Sequence, residues 1–504
     1  MEPSDIDSDA FAKAIKRLPA SVRAMFVWLQ QTLEALRKSV EELTQTIRDK
    51  DAELAELRAQ LYGQRSERER RRPPSPVPPE ERERRRAAGA QKRMTNREAK
   101  SALPSVIVPA VAVECCPTCQ SLGPHTHLAV QESVVTEHVP ARIVRFRHLI
   151  QPYICPSGHH FEGKRPLRVG ECAQYGAGLH AEVVVSKCHD AMPLNRLADR
   201  FGRSGLTLSR SVLTDVFHRS ASVLDGLYRW LVATVASAEY VNADETRQPV
   251  MAPEKCRTGF IWTFITNAVI VYVFSATRSG ETPAVVLGRS VGSLQVDGYT
   301  GYNAVTTPTG RLRAGCLAHA RRYFHKATDS EPEPAASGVA IVAQLYEIER
   351  QAERDGITGT REHLALRQAK SKPILDAWKP QLEALEPTTT PKSPLGKAVR
   401  YVLNQWEALT RFLDDPLLPL DNNVAERALR IIALGRNSFR WVGHDVAGEN
   451  LAILQTIVAT CLLHSVNPYD YLYEVLLRLS NGHPASKIAE LAPWNWQAIH
   501  TPPV

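Results

Sequence analysis

Between residues 26 and 61 the apolar side chains fall at alternating steps of three and four. They are Phe26, Leu29, Leu33, Leu36, Val40, Leu43, Ile47, Leu54, Leu57 and Leu61, interrupted only at Lys50. A 3.5-residue period held for so long marks one narrow seam on a long helix, which is buried by winding against another helix. A helix packed on its own domain would carry a broader stripe. Residues 1–64 are therefore read as a coiled coil and as a route to a homo-oligomer, and the rest of the chain must fold separately from it.

The following segment cannot continue that helix. RSERERRRPPSPVPPEERERRR, residues 65–86, holds nine Arg and five Glu, and its prolines remove helical hydrogen bonds. Residues 65–104 read as a basic Pro/Arg-rich linker, either solvated or touching DNA phosphates. The whole chain carries a formal charge of +8, which favours a polyanionic partner. At 504 residues and 43% hydrophobic content, about three ordinary domains can bury cores. The first residues, MEPSDIDSDAFAK, lack the basic and apolar regions of a signal peptide. The apolar run NAVIVYVFSA (267–276) is too short to span a bilayer. A soluble cytoplasmic chain with no membrane partner is expected.

Nine cysteines are too few for a disulfide scaffold in a chain of this length. Two of them, Cys116 and Cys119, form CPTC, and Cys155 precedes His159 and His160 in CPSGHH. Cys116, Cys119, Cys155 and His159 supply the four ligands of a tetrahedral structural zinc, with His160 as an alternative to His159 and Cys115 as a bystander. The ion would stabilise a small β-rich module, residues 105–170, that could bury little core alone. The other reading is a pair of buried thiols.

Residues 171–235 read as helical. MPLNRLADRFGRSGLTLSRSVLTDVFHRS gives a helix, a break near Gly202 to Gly205, and a second helix starting after Thr207 or Ser209. That outline fits a helix-turn-helix, and many ordinary helical hairpins share it. From about residue 238 the pattern changes to strands: EYVNAD, GFIWTFIT, AVIVYVFS, a helix-like GETPAVVLGRSV, then GSLQVDG and RLRAGCLA. This order describes a mixed α/β sheet.

Asp244 in YVNADET and Asp297 in LQVDGY each follow a short apolar strand and precede polar residues. Two such acids at neighbouring strand ends can hold hard divalent cations, though either alone is an ordinary turn residue. Glu426, in LDNNVAERALRIIALGR, lies one turn into a helix whose apolar side is Val424, Leu429, Ile432 and Ala433. Asp421 or Asn422 would cap it. The helix dipole and a pairing with Arg430 account for Glu426 equally well, so periodicity leaves its role open.

Five motifs occur together and in order: VNADET, LQVDGYTGYNAV, GCLAHARRYF, DNNVAERALRIIALGRNSF and ELAPWNW. With them, the leucine-rich start ending in LYGQRSE, the CPTC module and the helical stretch from Met192, the chain resembles the DDE transposases of the insertion-sequence family 66 over nearly its whole length. The resemblance implies a multidomain α+β protein with a ribonuclease-H-like mixed α/β catalytic core at 236–324 and 420–465. A helical insertion would occupy 325–419 and a C-terminal helical tail 466–504. It implies a catalytic set of Asp244, Asp297 and Glu426 holding Mg²⁺ or Mn²⁺, and a Cys-x-x-His signature at Cys316 and His319 that is structural or assists the site. The family commonly has cysteines at the second metal pair, where this chain offers Cys155 with His159 or His160. Ile431 stands where proline is common.

The expected function is Mg-dependent DNA cleavage and strand transfer at the terminal inverted repeats of an insertion sequence. The partners are then element and target DNA, a second copy of the chain and accessory proteins of the same element, on the bacterial nucleoid. The rival is a non-catalytic zinc and coiled-coil DNA-binding regulator, a domesticated transposase. A nuclease that cuts without joining is a third possibility.

Overall fold

The computed structural model describes residues 19–62, 167–170 and 174–496, two strand segments at 152–154 and 160–162, and a few isolated residues between 83 and 144. The first element is a single helix of 43 residues, α1 (Ala20–Tyr62), as the heptad spacing requires. Its seam residues Leu29, Leu33, Leu36, Val40, Leu43 and Ile47 are all exposed. Strands β1 (Pro152–Ile154) and β2 (His160–Glu162) pair antiparallel. Cys116, Cys119, Cys155 and His159 lie outside the described residues, as does nearly all of the 65–104 segment.

Three helices lead into the main sheet: α2 (Ala177–Cys188), α3 (Leu194–Arg203) and α4 (Arg210–Ala236). The break between α3 and α4 falls where the sequence places it. Gly205 takes a φ of +87°, which L side chains avoid. Ser209 caps α4 by accepting from the Val212 N–H at 3.2 Å. Leu213, Val216, Phe217, Leu224, Leu227 and Leu231 make α4 a core helix.

The sheet holds β3 (Tyr240–Val250), β4 (Arg257–Ile265) and β5 (Ile270–Ser275), then α5 (Glu281–Leu287), β6 (Gly292–Gln295) and β7 (Arg311–Ala314). Its strand order is β5-β4-β3-β6-β7, antiparallel from β3 to β5 and parallel from β3 through β6 to β7. The chain is thus a mixed α/β protein with one mixed five-stranded sheet and many helices.

A helical segment follows: α6 (Leu317–Ala327), α7 (Pro332–Arg354), α8 (Arg361–Leu366), a π turn at Arg367–Ser371, α9 (Lys372–Leu385), α10 (Pro394–Asn404) and α11 (Trp406–Thr410). It has its own core, including Phe324, Val342, Leu345, Trp378, Val399 and Phe412. Its π turn is pinned by Arg367, which is buried, bonds both Glu349 oxygens at 2.9 and 2.6 Å, and reaches the Phe412 and Asp415 carbonyls at 2.9 Å each.

The chain then returns to the sheet with α12 (Asn423–Phe439), α13 (Asp445–Leu463) and α14 (Pro468–Ser480). Among the described residues α13 alone is long and apolar enough to cross a membrane, with a mean hydropathy of 1.6. It is a core helix: 67% of that window is buried and it covers the sheet's β5 edge. The Thr456 and Thr460 hydroxyls accept from the N–H groups of Tyr272 and Ile270 at 2.8 and 3.4 Å, satisfying an edge that would otherwise offer free donors.

Candidate active site

Strand β3 runs to Val250, so Asp244 lies mid-strand, not at a strand end as its sequence context suggested. The polar residues beyond it stay in the sheet because β4 pairs them throughout, Glu245 with Trp262 and Gln248 with Gly259. Alternation along a strand puts Asn242, Asp244 and Thr246 on one face. Helix α12 lies against that face and is tied to β3 along its length. At its start the Asn422 side chain accepts from Asn242 Nδ2 at 2.9 Å and donates to the Ala243 carbonyl at 2.7 Å. Further along, Arg436 donates to the Thr246 hydroxyl at 2.6 Å. Past the helix end, Val442 N–H bonds Pro249 O at 3.0 Å and Met251 N–H bonds Val442 O at 2.9 Å. A 17-residue helix rises ~25 Å and β3 from Ala243 to Val250 extends ~23 Å, so helix and strand are matched in length.

The start of α12 departs from the expected cap. Asn422 holds the N-cap position but makes no side-chain capping bond, because its amide is committed to β3. Asp421 accepts from the Asn423 N–H at 2.9 Å and from the Tyr346 hydroxyl of α7 at 2.5 Å, so the helical segment also fixes this turn. The buried face of α12 is Ala425, Leu429, Ile432 and Gly435, whereas Val424 is exposed. Burial of Leu429 and Ile432 contributes about 2 kcal/mol each.

Glu426 sits in the first turn of α12, and its partner is Arg322 of α6 rather than Arg430. Arg322 Nη2 donates to both carboxylate oxygens, at 2.9 and 3.0 Å. His319 Nε2 lies 3.3 Å from Arg322 Nη1 and 3.7 Å from Glu426 Oε1. Burial, then the Arg322 charge, hold the His319 imidazole below its usual value, which keeps it neutral. Cys316 is fully buried, its thiol pushed up to about 12 by burial, and its Sγ accepts the Asn422 N–H at 3.3 Å. The Cys-x-x-His pair is thus divided: Cys316 braces the α12 turn and His319 borders Glu426.

Asp297 lies two residues past β6, as expected. Its Oδ1 accepts the Tyr299 N–H at 2.9 Å, and Arg313 Nη2 holds the loop by the Asp297 and Tyr299 carbonyls at 2.8 and 2.6 Å. On the opposite face of β3, Glu245 is almost wholly buried. Tyr302 donates to its Oε2 at 2.7 Å and Arg278 Nε to its Oε1 at 2.8 Å.

Asp244 is thus within electrostatic reach of both Asp297, past β6, and Glu426, on α12. The Asp244 carboxyl is pushed up to about 7, first by burial, then by Glu245, with Asp297 and Glu426 adding to the effect against a bond from the Glu245 N–H. Mutual repulsion among carboxylates is relieved by a cation, and an all-oxygen donor set suits Mg²⁺ or Mn²⁺. The set is not drawn closed: among the described residues no three His, Cys, Asp or Glu side chains are grouped tightly enough to hold an ion, and Glu426 is engaged by Arg322.

Sequence reasoning missed Glu245, Asn422 as a bracket, Arg313 and Arg322. Glu245 directly follows Asp244, and Arg322 follows His319 by one helical turn within CLAHARRYF; those adjacencies were the available signals.

Comparison with known proteins matches residues 173–450 to the transposase IS66 family and residues 456–494 to the IS66 C-terminal element. The chain belongs to the IS66 transposase family. Among its relatives are two uncharacterized proteins of Sinorhizobium fredii (strain NBRC 101917 / NGR234). One, y4hP, is 31% identical over 416 residues, covering 77% of this chain and 75% of the relative. The other, y4jD, is 32% identical over 382 residues, covering 71% and 74%.

Proposed function

We propose that this protein is a DDE transposase that cleaves and joins DNA at the ends of an insertion sequence, with Asp244, Asp297 and Glu426 as its catalytic carboxylates. The observation that carries this reading is the tie of the α12 start to β3 through Asn422 and Ala243 O, which sets Glu426 near Asp244; Glu426, and Asp297 just past β6, both act on the Asp244 carboxyl, behind burial and Glu245. A divalent ion held by the three would activate the attacking water or 3′-hydroxyl and stabilise the leaving oxygen. The chain's own part is to fix the donors. Arg313 holds the Asp297 loop and Asn422 joins α12 to β3, while the neutral His319 borders Glu426. None of the acids is a covalent nucleophile in this scheme.

The sheet order, with an antiparallel β3-β4-β5 and parallel β6 and β7, supports a ribonuclease-H-like core interrupted by a helical insertion. The exposed seam of α1 supports a coiled coil pairing two protomers, so that two DNA ends meet. The CPTC and CPSGHH residues would form the zinc module. That module, the α3–α4 hairpin and the arginines of 65–86 would bind the terminal repeats, phosphate contacts supplying affinity and base contacts specificity. The reading places the protein in the bacterial cytoplasm, on nucleoid DNA when bound.

The test is incubation of labelled element-end DNA with the full chain and Mg²⁺ or Mn²⁺, beside Asp297→Ala. Nicked and joined products from the wild type alone are expected. DNA binding without any product would favour the regulator, and nicking without joining would favour a nuclease.

A further inference from the structure

The chain contains two Arg–Glu pairs with very different surroundings. Arg367 is 1% exposed and spends its donors on Glu349 and two carbonyls, which is how a structural arginine is held. Arg322 is 50% exposed and touches Glu426 and the His319 Nε2. Its contact with Glu426 is also not the parallel fork in which two guanidinium nitrogens each meet one oxygen. A single nitrogen, Nη2, serves both oxygens while Nη1 faces the His319 Nε2, so the fork is not matched to the carboxylate. A pair this exposed changes an equilibrium by up to about fivefold, so a better anion displaces it. Phosphate matches the fork as well as carboxylate does, and the exposed Arg427 and Arg430 on α12 add positive charge beside Glu426.

We propose that Arg322 is a phosphate-responsive latch. In the free protein its guanidinium holds the Glu426 carboxylate, and on DNA binding it moves to a backbone phosphate and releases both oxygens toward Asp244 and Asp297. The inference rests on the three-carboxylate reading above. It makes Arg322 a positioning residue that couples arrival of DNA to completion of the ion site, so that the free protein holds the ion weakly and is restrained from cutting.

The test reads ion binding, not cleavage. Free Mn²⁺ is followed by electron paramagnetic resonance in titrations of the full chain, alone and with a short mixed-sequence DNA duplex, and binding to duplex alone is subtracted. The wild type should gain about fivefold in Mn²⁺ affinity when duplex is added. Arg322→Ala and Arg322→Gln should bind about fivefold tighter without DNA and gain much less from it; Arg322→Lys, which keeps the charge but not the fork, should fall between. If both neutral variants match the wild type with and without duplex while Glu426→Gln loses Mn²⁺, the latch is wrong and the carboxylate reading stands. If Glu426→Gln and Asp244→Asn bind Mn²⁺ as the wild type does, both fall together.

Discussion

The side chains of Asn242 and Asn422 are hydrogen bonded to each other at 2.9 Å, in the interior, across 180 residues of sequence. Through this contact and the Asn422 bond to Ala243 O, the turn carrying Glu426 is set on the strand carrying Asp244. Asn422→Ala leaves the Ala243 carbonyl and the Asn242 amide without these partners in a dry setting, a loss of about 3 kcal/mol. Urea unfolding should show that loss. Asn422→Asp should not rescue, because it removes the donor and buries a charge.

Asp244 gives a pH signature opposite in sense to that of an ion-paired aspartate, whose folded-state value is depressed. Its carboxyl titrates at about 7 in the folded protein against an ordinary value of 3.8, so the folded state binds the proton more tightly. Its stabilising contribution is full below pH ~4 and is lost as pH rises through ~7. In metal-free protein Asp244→Asn should therefore raise stability at pH 8, by on the order of 2 kcal/mol, and change little below pH 4. The same substitution should abolish cleavage. Thermal melts of both proteins from pH 4 to pH 8 check this, and equal melting curves at pH 8 would contradict it.

The order of strands around the two aspartates was legible in the sequence because apolar alternation and glycine breaks mark each one. The length of β3 was not. ETRQPV is too polar to read as strand, and it is held there by its β4 partners and by Glu245 finding Tyr302 and Arg278. A link between Glu426 and the aspartates was not readable from spacing either, since 129 residues separate it from Asp297; that expectation came from the family motifs alone. The DNN run looked like a helix cap; the Asn422 amide is instead committed to tertiary bonds, which local propensity cannot register.

In the helical segment, Arg367→Ala would leave the partly buried Glu349 beside His363 without its main counter-charge and the Phe412 and Asp415 carbonyls without their donor. Together these losses should cost about 3 kcal/mol. Because Tyr346 of the same segment bonds Asp421, the variant should also lose cleavage. Circular dichroism melts and the cleavage assay together check both effects.

Leu36 and Leu43 stand on the exposed seam of α1. Leu36→Asp with Leu43→Asp should convert an oligomer to a monomer in analytical ultracentrifugation while leaving the melting of the sheet-bearing part unchanged. An unchanged mass would remove the coiled-coil assignment.

In the proposed mechanism Asp244, Asp297 and Glu426 share a divalent ion when DNA is bound. Anomalous diffraction from crystals of the full chain with element-end DNA and Mn²⁺ tests it most directly. A manganese peak is expected among the three carboxylates, with Arg322 turned from Glu426 to a phosphate. A peak that excludes Glu426, or none at Asp244 and Asp297, would contradict it.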